Sequence, residues 1–333
     1  MSERRTITKA LTTVAYRGWH WDKLAEALAP AAVVRADHGD IPRVKEAIAD
    51  ADVAILGGDI SEEVLAAAKQ VKWIHADHAG VNNSAHPELF QRGILLTASA
   101  GRSAPVLAEH IFFLMLSLVY DSRTLERQQQ GHIWHNLYRD RRGLYTKTLG
   151  IIGLGHTGKA LAVRAKAFGM RVLGYNRTVI DQPEGVDKAC YADKGQTIDE
   201  LLRESDIVVL TVRLSDQTYR LIDERAFGLM KPTAYLVNMA RGAVVDEKAL
   251  YTALVTKRIA MAASDVFETE PLPPDSPLWD LPNFVITPHC TPEVPDLTAN
   301  CLEIITDNIA RYREGRTLRN LLDARDAYTK GGK

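Results

Sequence analysis

At about 150 residues per domain, a chain of 333 residues is long enough for two domains. Its 46% hydrophobic and 25% charged residues exclude a mostly disordered, collagen-like or disulfide-scaffold protein. With 41 Lys+Arg against 42 Asp+Glu the net charge is −1, so no global basic field exists to hold nucleic acid or an anionic membrane. In chain order, Met1-Ser2-Glu3-Arg4-Arg5 has no apolar run behind it of the kind a signal peptide needs. Residues 53–56 read as a strand, 61–69 as a helix, and 72–75 and 94–97 as strands. The small, polar stretch Ala98-Ser99-Ala100-Gly101-Arg102-Ser103 then meets a long helical pattern, starting near Ser103 and running past Arg127. Its most apolar part, residues 111–120, is about half of the roughly 20 residues a bilayer span needs and reads as a buried helix. Further strands fall at 148–152, 171–175, 207–211, 234–238, 259–264 and 284–287, mostly separated by helical patterns. Pro288, Pro292 and Pro295 mark a second crossing, after which 297–314 reads as a helix ending at Gly315. Cys190, Cys290 and Cys301 show no metal-ligand spacing. Alternation of this kind predicts an α/β fold, parallel sheets covered by helices on both faces. Two crossings predict a discontinuous first domain, residues 1–102 with 291–333, and a second domain over 103–290.

The sharpest motif is Gly153-Leu154-Gly155-His156-Thr157-Gly158, set between the strand 148–152 and a helix over 159–168. Gly153 permits the tight turn, Gly155 lets backbone approach a pyrophosphate, and Gly158 allows close helix–strand packing. The helix N-terminus offers free N–H groups and a positive dipole end to the anion. The expected cofactor is therefore a dinucleotide, with His156 and Thr157 in the loop beside it. At the end of the next strand, where NAD sites tend to place a carboxylate for the ribose 2′-OH, stand Asn176, Arg177 and Thr178. No carboxylate there repels a 2′-phosphate, and a guanidinium is present to bind it. NADP is the preferred cofactor on this reading, with NAD as the alternative if Arg177 simply points to solvent.

Three later segments carry polar residues after strands, and so at the C-terminal edge of a parallel sheet, where open α/β sheets bind ligands. They are residues 237–246 (V-N-M-A-R-G-A-V-V-D), 264–271 (S-D-V-F-E-T-E-P) and 286–289 (I-T-P-H). Together with the glycine loop, and with Asn308-Ile309-x-Arg311-Tyr312-x-x-Gly315 near the end, they occur in the order and at the spacing of the D-isomer-specific 2-hydroxyacid dehydrogenases. The chain resembles that family over nearly its whole length, and Ala79-Gly80-Val81-Asn82 looks like the family's substrate loop. The resemblance implies two Rossmann-like, doubly wound domains with the active site in the cleft between them. It implies that Arg241 binds the substrate carboxylate and polarises the 2-oxo group, its forked donors suiting a planar carboxylate. His289 would be the acid in reduction and the base in oxidation. Glu270 would pair with it, since a neighbouring carboxylate favours imidazolium; Glu268, two residues away, is the competing carboxylate. Asp265 would contact the nicotinamide side, Thr211 and Ala240 would border the cofactor, and Ala79 and Gly80 would offer N–H groups to the substrate.

The sequence departs from the family pattern at Asn82, where Asp is more usual, and at Cys290-Thr291-Pro292-Glu293-Val294-Pro295 after the histidine. His75, Asp77 and His78 read as a polar surface loop, with contact to a hydroxylated substrate as the alternative, and Cys290 reads as a packing residue. His132, Trp134 and His135 lie in a segment with Tyr138, Arg139, Arg141 and Arg142, which the resemblance makes an arm packing on the second copy of a homodimer. The expectation is a cytoplasmic NADPH-preferring reductase of small 2-oxo acids, glyoxylate and hydroxypyruvate leading, with no metal, nucleic-acid or membrane partner. A nucleotide-sensing or corepressor-like binding protein on the same fold is the other class.

Overall fold

A computed structural model describes residues 4–135, 143–291 and 294–330. The chain divides into two compact units, Met1–Arg102 with Val294–Lys333, and Ser103–Glu293.

The first unit runs β1 (Lys9–Thr12), α1 (Trp19–Leu28), β2 (Ala32–Arg35), α2 (Ile41–Ile48), β3 (Val53–Leu56), α3 (Glu62–Ala67), β4 (Trp73–Ala76), α4 (Pro87–Gln91) and β5 (Leu95–Ala98). All neighbours pair in parallel in the order β2-β1-β3-β4-β5, a doubly wound arrangement. Every residue of β3 and β4 is buried, because helices cover both faces. Val44 and Ile48 of α2 and Leu65 of α3 pack on one face with Ile74. Leu24 and Leu28 of α1 pack on the other. Asp40 and Ser61 start α2 and α3 by accepting the N–H groups of Arg43 and Val64.

His75 does not lie in a surface loop. It sits in β4, fully buried, with Nδ1 2.8 Å from Thr97 Oγ1 and Nε2 3.0 Å from Ser99 Oγ. Two hydroxyls on the β5 side satisfy both ring nitrogens, and that is what lets a histidine occupy an apolar strand. Asp77 and His78 follow in the loop after β4, where His78 Nε2 stands 3.5 Å from Asp59.

The second unit comprises α5 (Ala104–Tyr120), α6 (Ser122–Gln130), β6 (Thr148–Ile152), α7 (His156–Ala167), β7 (Arg171–Asn176), β8 (Lys188–Tyr191), α8 (Asp199–Glu204), β9 (Ile207–Leu210), α9 (Glu224–Leu229), β10 (Tyr235–Asn238), α10 (Glu247–Val255), β11 (Met261–Ser264) and β12 (Phe284–Ile286). The seven strands are parallel in the order β12-β11-β10-β9-β6-β7-β8. The order reverses at β6, which has β7 on one side and β9 on the other. That switch point opens a crevice at the C-terminal strand ends.

The helical pattern from Ser103 past Arg127 proves to be two helices. Asp121 adopts a left-handed φ of 48° that ends α5, and its side chain accepts from the Thr124 N–H to start α6. Aspartate is among the few residues that tolerate both tasks. Ile111, Leu114, Met115 and Leu118 of α5 are buried against α7 and the sheet. Among the described residues no single helix is long and apolar enough to cross a membrane.

The last helix, α11 (Leu297–Arg313), returns to the first unit and adds Leu302, Ile305 and Ile309 to the core over α1. Buried Asn308 donates from Nδ2 to the Arg319 carbonyl at 3.1 Å and accepts the Arg319 N–H at 2.7 Å, which ties the tail down. Tyr312 stacks on Trp73 with ring centroids 5.3 Å apart.

Candidate active site

The glycine loop joins β6 to α7 at the switch point. Gly153 has φ of 106°, and a Cβ there would come within 2.8 Å of the Thr211 backbone. At Gly158 a Cβ would lie 2.0 Å from the Gly153 carbonyl oxygen, so both positions exclude any side chain. A Cβ on Gly155 would meet nothing within 4 Å. Open space therefore lies directly before the first turn of α7, whose N–H groups have no side-chain cap. Two polar side chains fix the loop. Thr211 Oγ1 donates to the Gly153 carbonyl at 2.7 Å, and Asn176 Oδ1 accepts the Leu154 N–H at 3.2 Å. Asn176 also donates to Thr178, so the turn after β7 is ordered from the same residue. His156 and Thr157 open α7, and Arg177 follows Asn176. These residues fit a dinucleotide: a glycine cradle, an uncapped helix start and a neutral strand end.

Arg241 follows β10 on a backbone held by Asn238. Asn238 Oδ1 accepts the Ala240 N–H at 3.0 Å, and its Nδ2 donates to the Arg241 carbonyl at 3.1 Å. Arg241 Nη1 donates to the Ala240 carbonyl at 2.6 Å. Gly242 comes next because a Cβ there would fall 1.8 Å from the Phe267 carbonyl carbon. That close approach brings the segment after β10 against the segment after β11.

The segment after β11 carries the acids. Asp265, only 1% exposed, accepts Thr287 Oγ1–H at 2.6 Å and the Cys290 N–H at 3.1 Å on Oδ1. Its carbonyl accepts the His289 N–H at 2.9 Å. Asp265 thereby fixes the turn after β12. His289 itself has φ of 50°, a left-handed conformation that costs energy for a residue with a Cβ. Its Nδ1 stands 2.7 Å from Glu270 Oε2, while Glu270 Oε1 accepts the Phe267 N–H at 2.8 Å.

The two competing carboxylates are sorted by their partners. Glu268 faces Arg220 at 3.8 Å, and its N–H donates to Glu247. Burial, with Glu268 and Glu270 nearby, raises the Glu247 carboxyl above its ordinary range. The structure thus joins Glu270 to His289 and Asp265 to the His289 backbone, and gathers the glycine loop, Asn176 and Thr211 around one crevice. Ala79 and Gly80 lie in the loop after β4 of the first unit. Cys290 is exposed rather than packed, and its N–H is held by Asp265 Oδ1 at 3.1 Å. Asn238, Gly242 and Thr287 were not singled out from the sequence, although all three stand inside the quoted motifs. Their roles are contacts between segments, which no single motif displays. Tyr138, Arg139, Arg141, Arg142, Pro292 and Glu293 lie outside the described residues.

Fold and crevice together define an oxidoreductase of the nicotinamide-dinucleotide class, with a carboxylate–histidine pair at the strand ends. Comparison with known proteins agrees. A model of the D-isomer specific 2-hydroxyacid dehydrogenase NAD binding domain matches residues 112–291. The glyoxylate reductase of Korarchaeum cryptofilum is 36% identical over 290 residues, covering 85% of each chain. That of Pyrococcus furiosus is 37% identical over 287 residues, 83% of this chain and 84% of its own. A D-isomer specific 2-hydroxyacid dehydrogenase from Xanthobacter autotrophicus Py2, solved in complex with NADPH and MES, superposes with a TM-score of 0.79 at 27% identity, covering 97% of this chain and 100% of that one. The chain belongs to the D-isomer-specific 2-hydroxyacid dehydrogenase family. It is an NAD(P)-dependent enzyme of the dehydrogenase/reductase class.

Proposed function

We propose that the chain reduces small 2-oxo acids to 2-hydroxy acids, preferring NADPH, with glyoxylate and hydroxypyruvate as leading substrates. The observation that carries this reading is the 2.7 Å contact of Glu270 with His289 Nδ1, after strands of the same parallel sheet whose β6 end bears the glycine loop. When bound, the nicotinamide supplies a hydride to the 2-oxo carbon. Arg241 holds the substrate carboxylate and polarises the oxo group. His289 gives a proton from Nε2 to the oxo oxygen, and Glu270 steadies the imidazolium that precedes transfer. Asp265 orients His289 and borders the nicotinamide, and Ala240 and Thr211 border the cofactor. In the first unit, which serves as the substrate domain, Ala79 and Gly80 offer N–H groups to the carboxylate. The glyoxylate reductases of both archaea support the substrate class.

Neutral Asn176 followed by Arg177 supports NADPH. A carboxylate at Asn176 would repel a 2′-phosphate, whereas the guanidinium pairs with it. NADPH and NADH oxidation followed optically against a panel of 2-oxo acids tests the reading. Rapid turnover is expected, and tight cofactor binding without turnover would point instead to a nucleotide sensor. Arg177→Ala is expected to raise the NADPH Michaelis constant about 10- to 100-fold, as loss of one charge-assisted contact, with little change for NADH. Equal effects on both cofactors would remove Arg177 from 2′-phosphate recognition.

A homodimer is the proposed assembly. Trp134 is fully exposed and Ile133 and Tyr145 largely so, which suits an arm packing on a second copy. Sedimentation should show twice the chain mass; a monomer at micromolar concentration would contradict it.

A further inference from the structure

Three side chains of metal-ligating type converge beside His289 from separate stretches of the second unit. His110 comes from α5, Asp265 from the segment after β11 and Cys290 from the turn after β12. One ligating atom of each lies within 4.8 Å of the other two. Around a zinc ion with bonds of about 2.0–2.3 Å, tetrahedral ligands stand about 3.3–3.8 Å apart, so the widest pair needs a closure of roughly 1 Å. The exposed side chain of Cys290 has room to make it.

The setting calls for a cation. Asp265 is almost wholly buried, and its two side-chain hydrogen bonds, from the Thr287 hydroxyl and the Cys290 N–H, both fall on Oδ1. Oδ2 is the oxygen left for a cation. Both donors are neutral, and among the described residues no ion pair balances the Asp265 charge. A buried carboxylate without a counter-charge is costly, and a metal ion removes that cost. His110 is buried too, with Nδ1 3.2 Å from Thr291 Oγ1, a contact that orients the ring as outer partners orient metal-ligating histidines.

The donor types narrow the ion. Calcium and magnesium take oxygen ligands, and a set with one carboxylate does not suit them. Zinc accepts thiolate, imidazole and carboxylate together. On binding, Cys290 gives its thiol proton to solvent, and thiolate and carboxylate then balance the two positive charges of the ion. Three protein ligands leave the fourth position to water. Two of the three also hold the turn that carries His289: the Asp265 carbonyl accepts the His289 N–H at 2.9 Å, and Cys290 is the next residue. We propose that His110, Asp265 and Cys290 form an inhibitory zinc site, in which the bound ion draws Cys290 toward Asp265 and shifts the intervening histidine from its working position. The inhibition rests on the reductase reading above; the binding of the ion does not.

The test titrates the full-length, chelator-treated enzyme with cobalt, as a spectroscopic stand-in, and with zinc. The wild type should bind one equivalent of cobalt with a thiolate-to-cobalt charge-transfer band, which zinc abolishes. Saturating zinc should lower turnover about 10-fold or more, part of the 10²–10⁴-fold that a general acid contributes. Cys290→Ser, an exposed substitution, should lose the band, bind zinc at least about 10- to 100-fold more weakly, and keep its turnover at zinc concentrations that inhibit the wild type. His110→Gln should weaken zinc binding in the same way. A wild type without the band, or zinc binding and inhibition unaltered in Cys290→Ser, overturns the site. Zinc bound through Cys290 with turnover unchanged overturns the inhibition. Cobalt and zinc binding that depends on Cys290, in a protein that reduces no 2-oxo acid, overturns the reductase reading and supports the metal site.

Discussion

At Glu270 one carboxylate serves two neighbours, the Phe267 N–H at 2.8 Å through Oε1 and His289 Nδ1 at 2.7 Å through Oε2. The first contact fixes its orientation and the second gives it a task. In the proposed reduction His289 gives a proton from Nε2 while Glu270 holds its other ring nitrogen. Glu270→Gln keeps the shape and removes the charge, so turnover should fall about 10-fold or more, as expected for a lost charged hydrogen bond. His289→Ala should lose about 10²–10⁴-fold in turnover, the usual contribution of general acid catalysis. The measurement is the turnover number of both variants, and a Glu270→Gln value equal to wild type would remove Glu270 from the proton transfer. Arg241 is the second test at this scale. Asn238 sets its backbone from both sides, so a substitution of the side chain alone probes the guanidinium. Arg241→Lys keeps the charge and loses the fork, and the expected result is unchanged cofactor affinity with turnover reduced about 10-fold or more, as expected for a lost charged hydrogen bond. Near-normal turnover would show that another group anchors the carboxylate.

Strands β4 and β5 raise a question about elements rather than residues: how an apolar parallel sheet carries a histidine. Thr97 and Ser99 answer it by occupying both ring nitrogens, and full burial lowers the His75 pKa from 6.5 to about 3. The linkage has a definite sign. In the unfolded chain His75 takes up a proton as pH falls below about 6.5, whereas in the folded chain it stays neutral until near pH 3. The stabilisation is complete above pH 6.5 and is lost progressively on acidification across that window, by up to about 1.4 kcal/mol per pH unit. Denaturant midpoints at pH 7 and pH 5 should therefore differ more in wild type than in His75→Gln. Equal differences in the two would show that other groups control the acid sensitivity. The sequence reading finds none of β1, β2 and β8, whereas it finds β9. β2 and β8 are edge strands with partly exposed, charged residues, Arg35 and Lys188, and β1, although interior, is a four-residue run that opens on Lys9, whereas β9 is interior and continuously apolar.

For the whole molecule, the main consequence of the fold is that the first unit is assembled from both ends of the chain. Ile305 of α11 is fully buried among Leu24, Leu28 and Trp73, residues more than 200 positions away in sequence. Ile305→Ala should cost about 2–5 kcal/mol, the range for truncating a large buried aliphatic side chain. Urea unfolding with first-unit Trp73 fluorescence as the readout would check it, and a change below about 0.5 kcal/mol, typical of surface substitutions, would show that α11 is not part of that core. The sequence by itself determined the α/β alternation, the glycine cradle before α7, and the motifs that contain Arg241, Glu270 and His289. These are local: periodicity sets strands and helices, and a turn that admits only glycine is written at its own position. What only the tertiary structure decided is whatever depends on residues far apart in sequence meeting. The buried setting of His75 needs hydroxyls from the next strand. Glu270 rather than Glu268 was already implied by the resemblance, and packing supplies the physical reason: Arg220 and Glu247 engage Glu268 while the turn at His289 brings its ring to Glu270. The break at Asp121 was invisible because an aspartate within a helical pattern carries no mark of its backbone angle until packing fixes the direction of each helix. Burial, pairing and charge balance are properties of the packed chain, and a linear sequence lists the groups without saying which of them share a low-dielectric space.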